Sequence, residues 1–539
     1  MGCMTDSERL FCRCVSDLSY SNPFLPERIE HERELLGTDF AERGPVWDLS
    51  AKTGEEHPNI VLIGERVEAA ADALRGRLAS GDKPNSQERV LYEDLILYLL
   101  FHRTRNKLYE YLIAARDAAG RGRPITFYDD FERDARHFFA VPSVRGPERQ
   151  DPAHVFACFF QIRRAFHFIH YQIVGASMPA ARLRAAVWRS VFTHDMRRYR
   201  RTMYARMGDI TTLVTGPSGT GKELVARAIG MSRYIPFDPQ TRTFREEDFE
   251  GSFYPLNLSA LSPTLIESEL FGHRRGSFTG ALEDRAGWLE VCPPLGTVFL
   301  DEIGDVSKDI QVKLLRVLET RLFQRIGDTK PLPFRGKIVA ATNRDPVREM
   351  REGRMREDFY YRLCSDMVVT PSLREQIADS PAALGKLLLF IAKRIVGEDA
   401  ESVAAEVEEW IKRNLGADYP WPGNVRELEQ CVRNVLIREE YRPAPARSRP
   451  PVERIADDFR HGATTADELL RRYCTLVYAV TGSYAETARR LKLDRRTVRS
   501  KVDPALLGEL QRPGRPPGNM SAGISCSWKK AGGARAGAG

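Results

Sequence analysis

The stretch "LVTGPSGTGKE", Leu213–Glu223, lies between a short apolar run and a helical pattern. The run before it, "ITTLVT" (Ile210–Thr215), reads as a buried strand. A strand, a glycine-rich turn and a helix are the context of a phosphate-binding loop. Gly216, Gly219 and Gly221 let the backbone curl so that its amides point inward. Those amides and the helix N-terminus favour polyphosphate oxygens. Lys222 adds a point charge at the β and γ phosphates. The candidate nucleotide-binding residues are therefore Gly216, Pro217, Ser218, Gly219, Thr220, Gly221, Lys222 and Glu223. Glu223 stands where a Ser or Thr hydroxyl usually serves Mg²⁺.

Working outward, apolar runs alternate with helical patterns from Ile210 onward, which predicts parallel strands joined by crossover helices. The strand candidates are "ITTLVT", "YPLN", "TVFLD", "KIVAAT" and "DMVV". In "GTVFLDEIGD" (Gly296–Asp305) an apolar strand ends in Asp301 and Glu302. Asp301 can hold Mg²⁺ through water, and Glu302 can polarise the water that attacks the γ-phosphorus. An Asp-Glu pair can end any strand, but paired with the phosphate loop it implies ATP hydrolysis. Asn257 and Asn343 close two further strands; each is either a turn former or, for Asn343, a group that orients the attacking water. "MREDFYYRL" (Met355–Leu363) sets Arg356 and Arg362 on one short amphipathic piece. They either form surface ion pairs with Glu357 or Asp358, or complete a neighbour's site in a ring. Arg426, in "YPWPGNVRELEQ" (Tyr419–Gln430), is placed to reach ATP from a helical subdomain.

The bulk numbers agree with a multi-domain globular chain. At 539 residues it has room for about three or four domains. The net charge of +7 is mildly basic and by itself weak evidence for nucleic acid. Nine cysteines include no CxxC pair, which points to reduced thiols in the cytoplasm. The most apolar helical stretch, Val155–Val174, has Arg163 and Arg164 in its middle and is read as a soluble helix, with no membrane span. Before residue 190 the pattern is helical, with Leu91, Leu95, Leu99, Leu108 and Leu112 on one face, Ser86 as N-cap and Gly120 as stop. "FYDDF" and "RHFFAV" are read as core rather than as a ligand pocket.

Together, "GPSGTGKE", "ESELFGHRRGSFTGA", "GTVFLDEIGD", "ATNRD", "REDFYYRL" and "WPGNVRELE" resemble, in content and order, the AAA+ ATPase domain of sigma-54-dependent transcription activators, the bacterial enhancer-binding proteins. The resemblance covers about Ile210 to Arg438. It implies an α/β fold: a P-loop AAA+ parallel sheet with a helical lid. A mostly helical region would precede it and an all-α helix-turn-helix follow it. The family's phosphate loop carries Glu at its last position, as Glu223 does here. The resemblance implies that Lys222 binds phosphate, Asp301 serves Mg²⁺ and Glu302 is the catalytic base. Asn257 would hold Glu302 inactive until nucleotide and target are engaged, and Asn343 would sense the γ-phosphate. Arg356 and Arg362 would act in trans, and Arg426 would couple ATP to the lid. Gly276, Ser277, Phe278, Thr279, Gly280 and Ala281 would form the loop that touches sigma-54, with Phe278 and Thr279 at its tip. The implied cofactors are ATP and Mg²⁺. The implied partners are the sigma-54 RNA polymerase holoenzyme, upstream enhancer DNA and copies of the chain itself, as a hexameric ring with a dimer in the resting state. A AAA+ remodelling ATPase with another protein target is the alternative. Two departures stand out: Ser277 replaces the family's Ala, and Arg233–Pro255 is longer than the family's usual link.

The C-terminal "GSYAETARRLKLDRRTVRSKV" (Gly482–Val502) reads as two short helices and a tight turn, with Ala485, Ala488 and Leu491 packing the first and Asp494 capping the second. Arg495, Arg496, Thr497, Arg499, Ser500 and Lys501 are the candidate DNA-binding residues of a recognition helix. The segment resembles the Fis-type module that ends many of these activators, and Leu469, Leu470 and Val477 are available for pairing. The expected organisation is a helical input region at 1–190, the ATPase α/β subdomain at 191–376, its lid at 377–440, a Pro/Arg-rich linker at 441–462, the helix-turn-helix at 463–508 and a disordered tail at 509–539.

Overall fold

All five predicted strands form, and they pair in parallel in one sheet. In chain order they are β1 (Thr212–Thr215), β2 (Phe253–Asn257), β3 (Thr297–Asp301), β4 (Lys337–Thr342) and β5 (Asp366–Val369). Their order across the sheet is β2-β3-β4-β1-β5. β1 and β4 are buried at every position, which accounts for their continuous rather than alternating apolar runs. Asn257 lies in register with Asp301, and Thr215 with Thr342, so the polar residues that end the strands share one rim. The computed structural model describes residues 2–42, 57–117, 124–141, 151–245, 252–416, 418–443, 455, 458 and 464–511. Gly120, most of the expected linker and residues 512–539 fall outside them.

The helix Lys222–Gly230 follows β1 and buries Val225, Ala226, Ala228 and Ile229. Helices Pro152–Gln172 and Met178–Phe192 share that core: Ile169, Val187 and Phe192 pack with Val214, Ile229, Phe299 and Val339. The described residues before β1 contain helices and no strand. On the long helix Ser86–Asp117 the leucines 91, 95, 99, 108 and 112 are all buried. The cap lies one residue earlier than expected: Asn85 Oδ1 accepts from Glu88 N at 2.9 Å, and Glu88 Oε2 accepts from Asn85 N at 3.0 Å. Tyr128, Phe131 and Phe138 are core, as their sequence implied. No helix among the described residues is long and apolar enough to cross a membrane.

After the phosphate-loop helix, the described residues of the segment 233–255 include a hairpin. Phe237–Asp238 and Thr243–Phe244 pair as a small antiparallel hairpin. Phe244 stacks on Phe160 with centroids 4.2 Å apart, and Phe237 lies 4.6 Å from Tyr128. Ile125 N donates to Arg242 O at 2.9 Å, and Arg242 pairs with Asp129 at 2.7 Å. The hairpin is thus seated in the core of the N-terminal helices.

Helices Leu373–Asp379, Ala382–Val396, Ala400–Asn414 and Asn424–Arg438 form the lid, around Leu388, Val407, Trp421 and Leu428. By compactness the chain divides after Tyr441. In the second unit, Ala466–Thr481, Tyr484–Leu491, Arg495–Lys501 and Pro504–Gln511 are helices.

Candidate nucleotide site and partner loop

The phosphate loop needs its glycines for two separate reasons. Gly216 has φ +143° and Gly219 φ +79°, a region that favours glycine. Space is also closed: a Cβ on Gly216 would meet Thr370 Oγ1 at 2.1 Å, and one on Gly219 would meet Gly423 O at 2.2 Å. Lys222, 8% exposed, donates from Nζ to the carbonyls of Gly216 (3.1 Å) and Pro217 (3.2 Å). Burial pulls its pKa down, while Glu302 and Asp301 push it up. Glu223 forms an ion pair with Arg227 one turn on, at 3.0 Å.

Asp301 ends β3 facing the same cavity. Burial raises its pKa, opposed by the amide of Glu302 and by Lys222. Glu302 follows at φ +55°, an uncommon conformation for a residue with a side chain. Asn343 N donates to Glu302 Oε2 at 3.3 Å. Asn257 is not hydrogen-bonded to Glu302; its Oδ1 accepts from Ser259 N at 3.1 Å and Ser259 Oγ at 2.8 Å, so it caps the short turn Leu258–Ala260.

The lid is fastened to the loop. Val425 N donates to Gly219 O at 3.0 Å, Asn424 Nδ2 to Ser218 O at 2.9 Å, and Arg426 Nη1 to Ser218 Oγ at 3.3 Å. Asn424 Oδ1 also accepts from Leu373 N at 2.9 Å. The resulting cavity, about 500 Å³, is lined by the phosphate loop, Asp301, Glu302 and Arg426. Its apolar wall joins Ile173, Val174 and Leu183 from before β1 to Leu387, Phe390 and Ile391 of the lid. Sequence reasoning missed Asn424 and this wall. The Gly-Asn step was the available signal, since Asn tolerates the left-handed φ of +53° found there. The wall is assembled from distant helices and left none.

Arg356 and Arg362 do not line this cavity. Arg356 forms a two-pronged pair with Asp358 at 2.7 and 3.0 Å, and Arg362 faces Glu319 at 3.7 Å; both are exposed.

The loop Gly276–Ala281 closes on itself. Gly276 N donates to Ala281 O at 2.8 Å, and Ala281 N to Phe278 O at 3.0 Å. Its root is fixed by Arg274, which donates to Asp328 at 2.9 Å and pairs with Asp284. Phe278 is half-buried rather than bare, edge-on to His273 with centroids 5.0 Å apart, and Ala281 is buried. Thr279 and Gly280 are exposed. Ser277 Oγ is buried without a hydrogen-bond partner, its Cβ 2.7 Å from where a Cβ on Gly327 would lie.

In the second unit Asp494 caps Arg495–Lys501 by accepting from Arg496 N (2.7 Å) and Thr497 N (3.1 Å). Arg495, Arg496, Arg499 and Ser500 are exposed, whereas Lys501 forms an ion pair with Asp467, and the Thr497 hydroxyl donates to the capping carboxylate. Ala485 is exposed rather than packed. Thr487 takes the buried position, its Oγ1 donating to Ser483 O at 2.9 Å, and Ala488 packs beside it. The described cysteines are all free, and no group of three metal-type ligands occurs among the described residues.

A family model described as "Sigma-54 interaction domain" matches residues 191–368. This part of the chain is similar to sigma-54 interaction domains. Among curated relatives, the chain is 38% identical over 309 residues to the anaerobic nitric oxide reductase transcription regulator NorR of Aeromonas salmonicida, covering 53% of this chain and 57% of that one. It is 42% identical over 230 residues to the Nif-specific regulatory protein of Azotobacter vinelandii, covering 43% and 40%. It is 36% identical over 301 residues to the transcriptional regulatory protein ZraR of Escherichia coli, covering 54% and 63%. The chain thus spans about half the length of these relatives. The domain carries the phosphate loop, the Asp301–Glu302 strand end and the Gly276–Ala281 loop on a single sheet.

Proposed function

We propose that this protein is an ATP-driven activator of the sigma-54 RNA polymerase holoenzyme, working as a homo-oligomeric ring and bound to upstream DNA through its C-terminal helices. The observation that supports it best is the joining, within one sigma-54 interaction domain, of a nucleotide-sized cavity and an exposed-tipped loop rooted in the same subdomain. Lys222 exchanges its two carbonyl acceptors for phosphate oxygens, which suit a buried cation better. Glu302 accepts a proton from the attacking water, and Asn343, whose backbone amide donates to that carboxylate, senses the γ-phosphate. Arg426 carries the state of the loop to the lid through Ser218. Asp301, a half-buried carboxylate near Lys222, fits a Mg²⁺ position, and that ion would neutralise charge on the β and γ phosphates. Arg356 and Arg362 act on a neighbouring subunit. The loop Gly276–Ala281 rises from its seat against His273 and presents Phe278 and Thr279 to sigma-54.

Two variants test the reading in purified transcription with sigma-54 holoenzyme. Glu302→Gln keeps ATP binding and loses hydrolysis and open-complex formation. Thr279→Ala, on an exposed tip, keeps hydrolysis and loses open complexes. Open-complex formation by Thr279→Ala at the wild-type level would refute the assignment of the loop.

A further inference from the structure

A second cavity, about 260 Å³, lies at the opposite end of the sheet from the nucleotide site. It sits where β4 begins with Lys337 and where Leu295 leads into β3. Its walls are three tyrosines, Tyr199, Tyr204 and Tyr234, with Gln161, and two cations, Arg233 and Lys337. No Asp or Glu is among the described lining residues. Lys337 is 3% exposed and donates only to carbonyls, Ile210 O at 2.7 Å and Met207 O at 3.2 Å. Arg233 likewise donates to Pro294 O at 3.1 Å and Gly296 O at 2.5 Å. Asp366 and Asp209 act on Lys337 from outside the walls, against Arg233 and Arg321. Asp366 already accepts from Thr212 at 2.9 Å, and Asp209 already pairs with Arg321 at 3.4 Å. The cavity therefore combines flat aromatic walls with two basic side chains at its back and no carboxylate among its described lining residues.

We propose that this cavity binds a small aromatic monocarboxylate, its ring against the tyrosines and its carboxylate at Lys337 and Arg233. The walls are pre-organised for such a guest. Tyr199 donates to Gln161 Oε1 at 2.7 Å, and Gln161 Nε2 to Ser232 O at 2.9 Å. His154 Nε2 meets Arg200 O at 2.7 Å, so its Nδ1 accepts from Tyr234 OH at 2.8 Å. The volume suits a ligand of about ten heavy atoms and lies just below the usual range of drug-sized ligand pockets. Burial holds Lys337 down to about 7, and an adjacent carboxylate would restore its charge.

The site is placed to be felt at the nucleotide. The helix Lys222–Gly230 starts in one cavity with Lys222 and reaches the other with Ile229, a span of about 10 Å. Pro152–Gln172 does the same in reverse, with Gln161 in one cavity and Gln172 in the other. Ser232–Pro236, the near wall, is the stem of the hairpin seated in the N-terminal core. This gives the lengthened segment a role: it brings the input helices, the effector cavity and the phosphate-loop helix onto one stretch of chain. The coupling, though not the binding, rests on the nucleotide-site reading above.

Saturation-transfer NMR on the full chain tests the site with benzoate and its neutral isostere benzamide. Benzoate binds saturably, benzamide at least tenfold more weakly. Ala205→Trp, on the exposed rim, abolishes benzoate binding and leaves ATP binding intact without benzoate. Lys337→Met weakens benzoate at least tenfold. Saturating benzoate shifts the ATP dissociation constant at least threefold in wild type and not in Ala205→Trp. Absent benzoate binding, equal binding of benzamide, or benzoate binding that survives in Ala205→Trp overturns the site. Saturable benzoate binding with an unmoved ATP constant overturns the coupling. ATP binding measured without benzoate reports on the nucleotide site separately.

Discussion

At Asp301 the requirements of stability and of function oppose each other. The carboxylate is desolvated where a strand ends beneath the phosphate loop, so its pKa rises. The folded state then holds a proton more tightly than the unfolded state does. The penalty is absent below the ordinary value of 3.8 and grows as pH rises through the elevated folded value. Asp301→Asn should therefore unfold at a higher temperature than wild type at pH 7 without nucleotide, and the gap should close on acidification. Hydrolysis should be lost in the same variant. A thermal melt across pH 4 to 8, paired with phosphate release, checks both halves. Ser277 is a milder case of the same conflict. Its hydroxyl is buried without a partner, which typically costs about 1–3 kcal/mol. Ser277→Ala should stabilise the domain by about 1 kcal/mol in denaturant titration, because the loop packs against Gly327 with no acceptor to lose.

At the scale of elements, the hairpin and the recognition helix each support a prediction. Phe244 stacks on Phe160 inside the N-terminal core, so Phe244→Ala should cost about 3–5 kcal/mol of stability. Limited proteolysis should then cut first on either side of the hairpin. On the helix Arg495–Lys501, Arg496 and Arg499 are exposed but Lys501 is occupied by Asp467. Arg496→Ala or Arg499→Ala should lower the slope of log affinity against log salt by about one each, whereas Lys501→Ala should leave it unchanged. These elements also show what the sequence could reveal. The five strands were legible because strands buried on both faces need unbroken apolar runs, and "TVFLD" and "KIVAAT" have no other use. The phosphate loop was legible because its glycines answer a local demand of φ and of space. The hairpin's role was hidden, since Phe237 and Phe244 meet aromatic partners about eighty residues earlier in the chain. The Lys501–Asp467 pair and the packing of Thr487 in place of Ala485 were hidden likewise: which face of a short helix is covered depends on the neighbouring helix, not on the helix's own spacing.

At the scale of the whole molecule, a single copy leaves the nucleotide cavity without an arginine beyond Arg227, Arg394 and Arg426 among its described lining residues. Arg356 and Arg362 are held outside it, exposed, by Asp358 and Glu319. An exposed pair of this kind contributes little stability, so a neighbour's phosphate can draw either arginine away at small cost. If the chain closes into a ring with head-to-tail contacts, each cavity receives these arginines from the next subunit. Arg356→Ala should then lower turnover about a thousandfold or more, as should Glu302→Gln, and each variant alone should be inactive. Mixed in equal amounts, they should recover activity, because roughly a quarter of randomly formed interfaces join an intact Glu302 to an intact Arg356. Steady-state phosphate release across a series of mixing ratios gives the answer. A curve that peaks near the equal mixture means the arginine acts across the interface. A curve that stays at the level of the two separate variants means that each chain must supply both groups itself, and that Arg356 has to leave Asp358 for its own cavity.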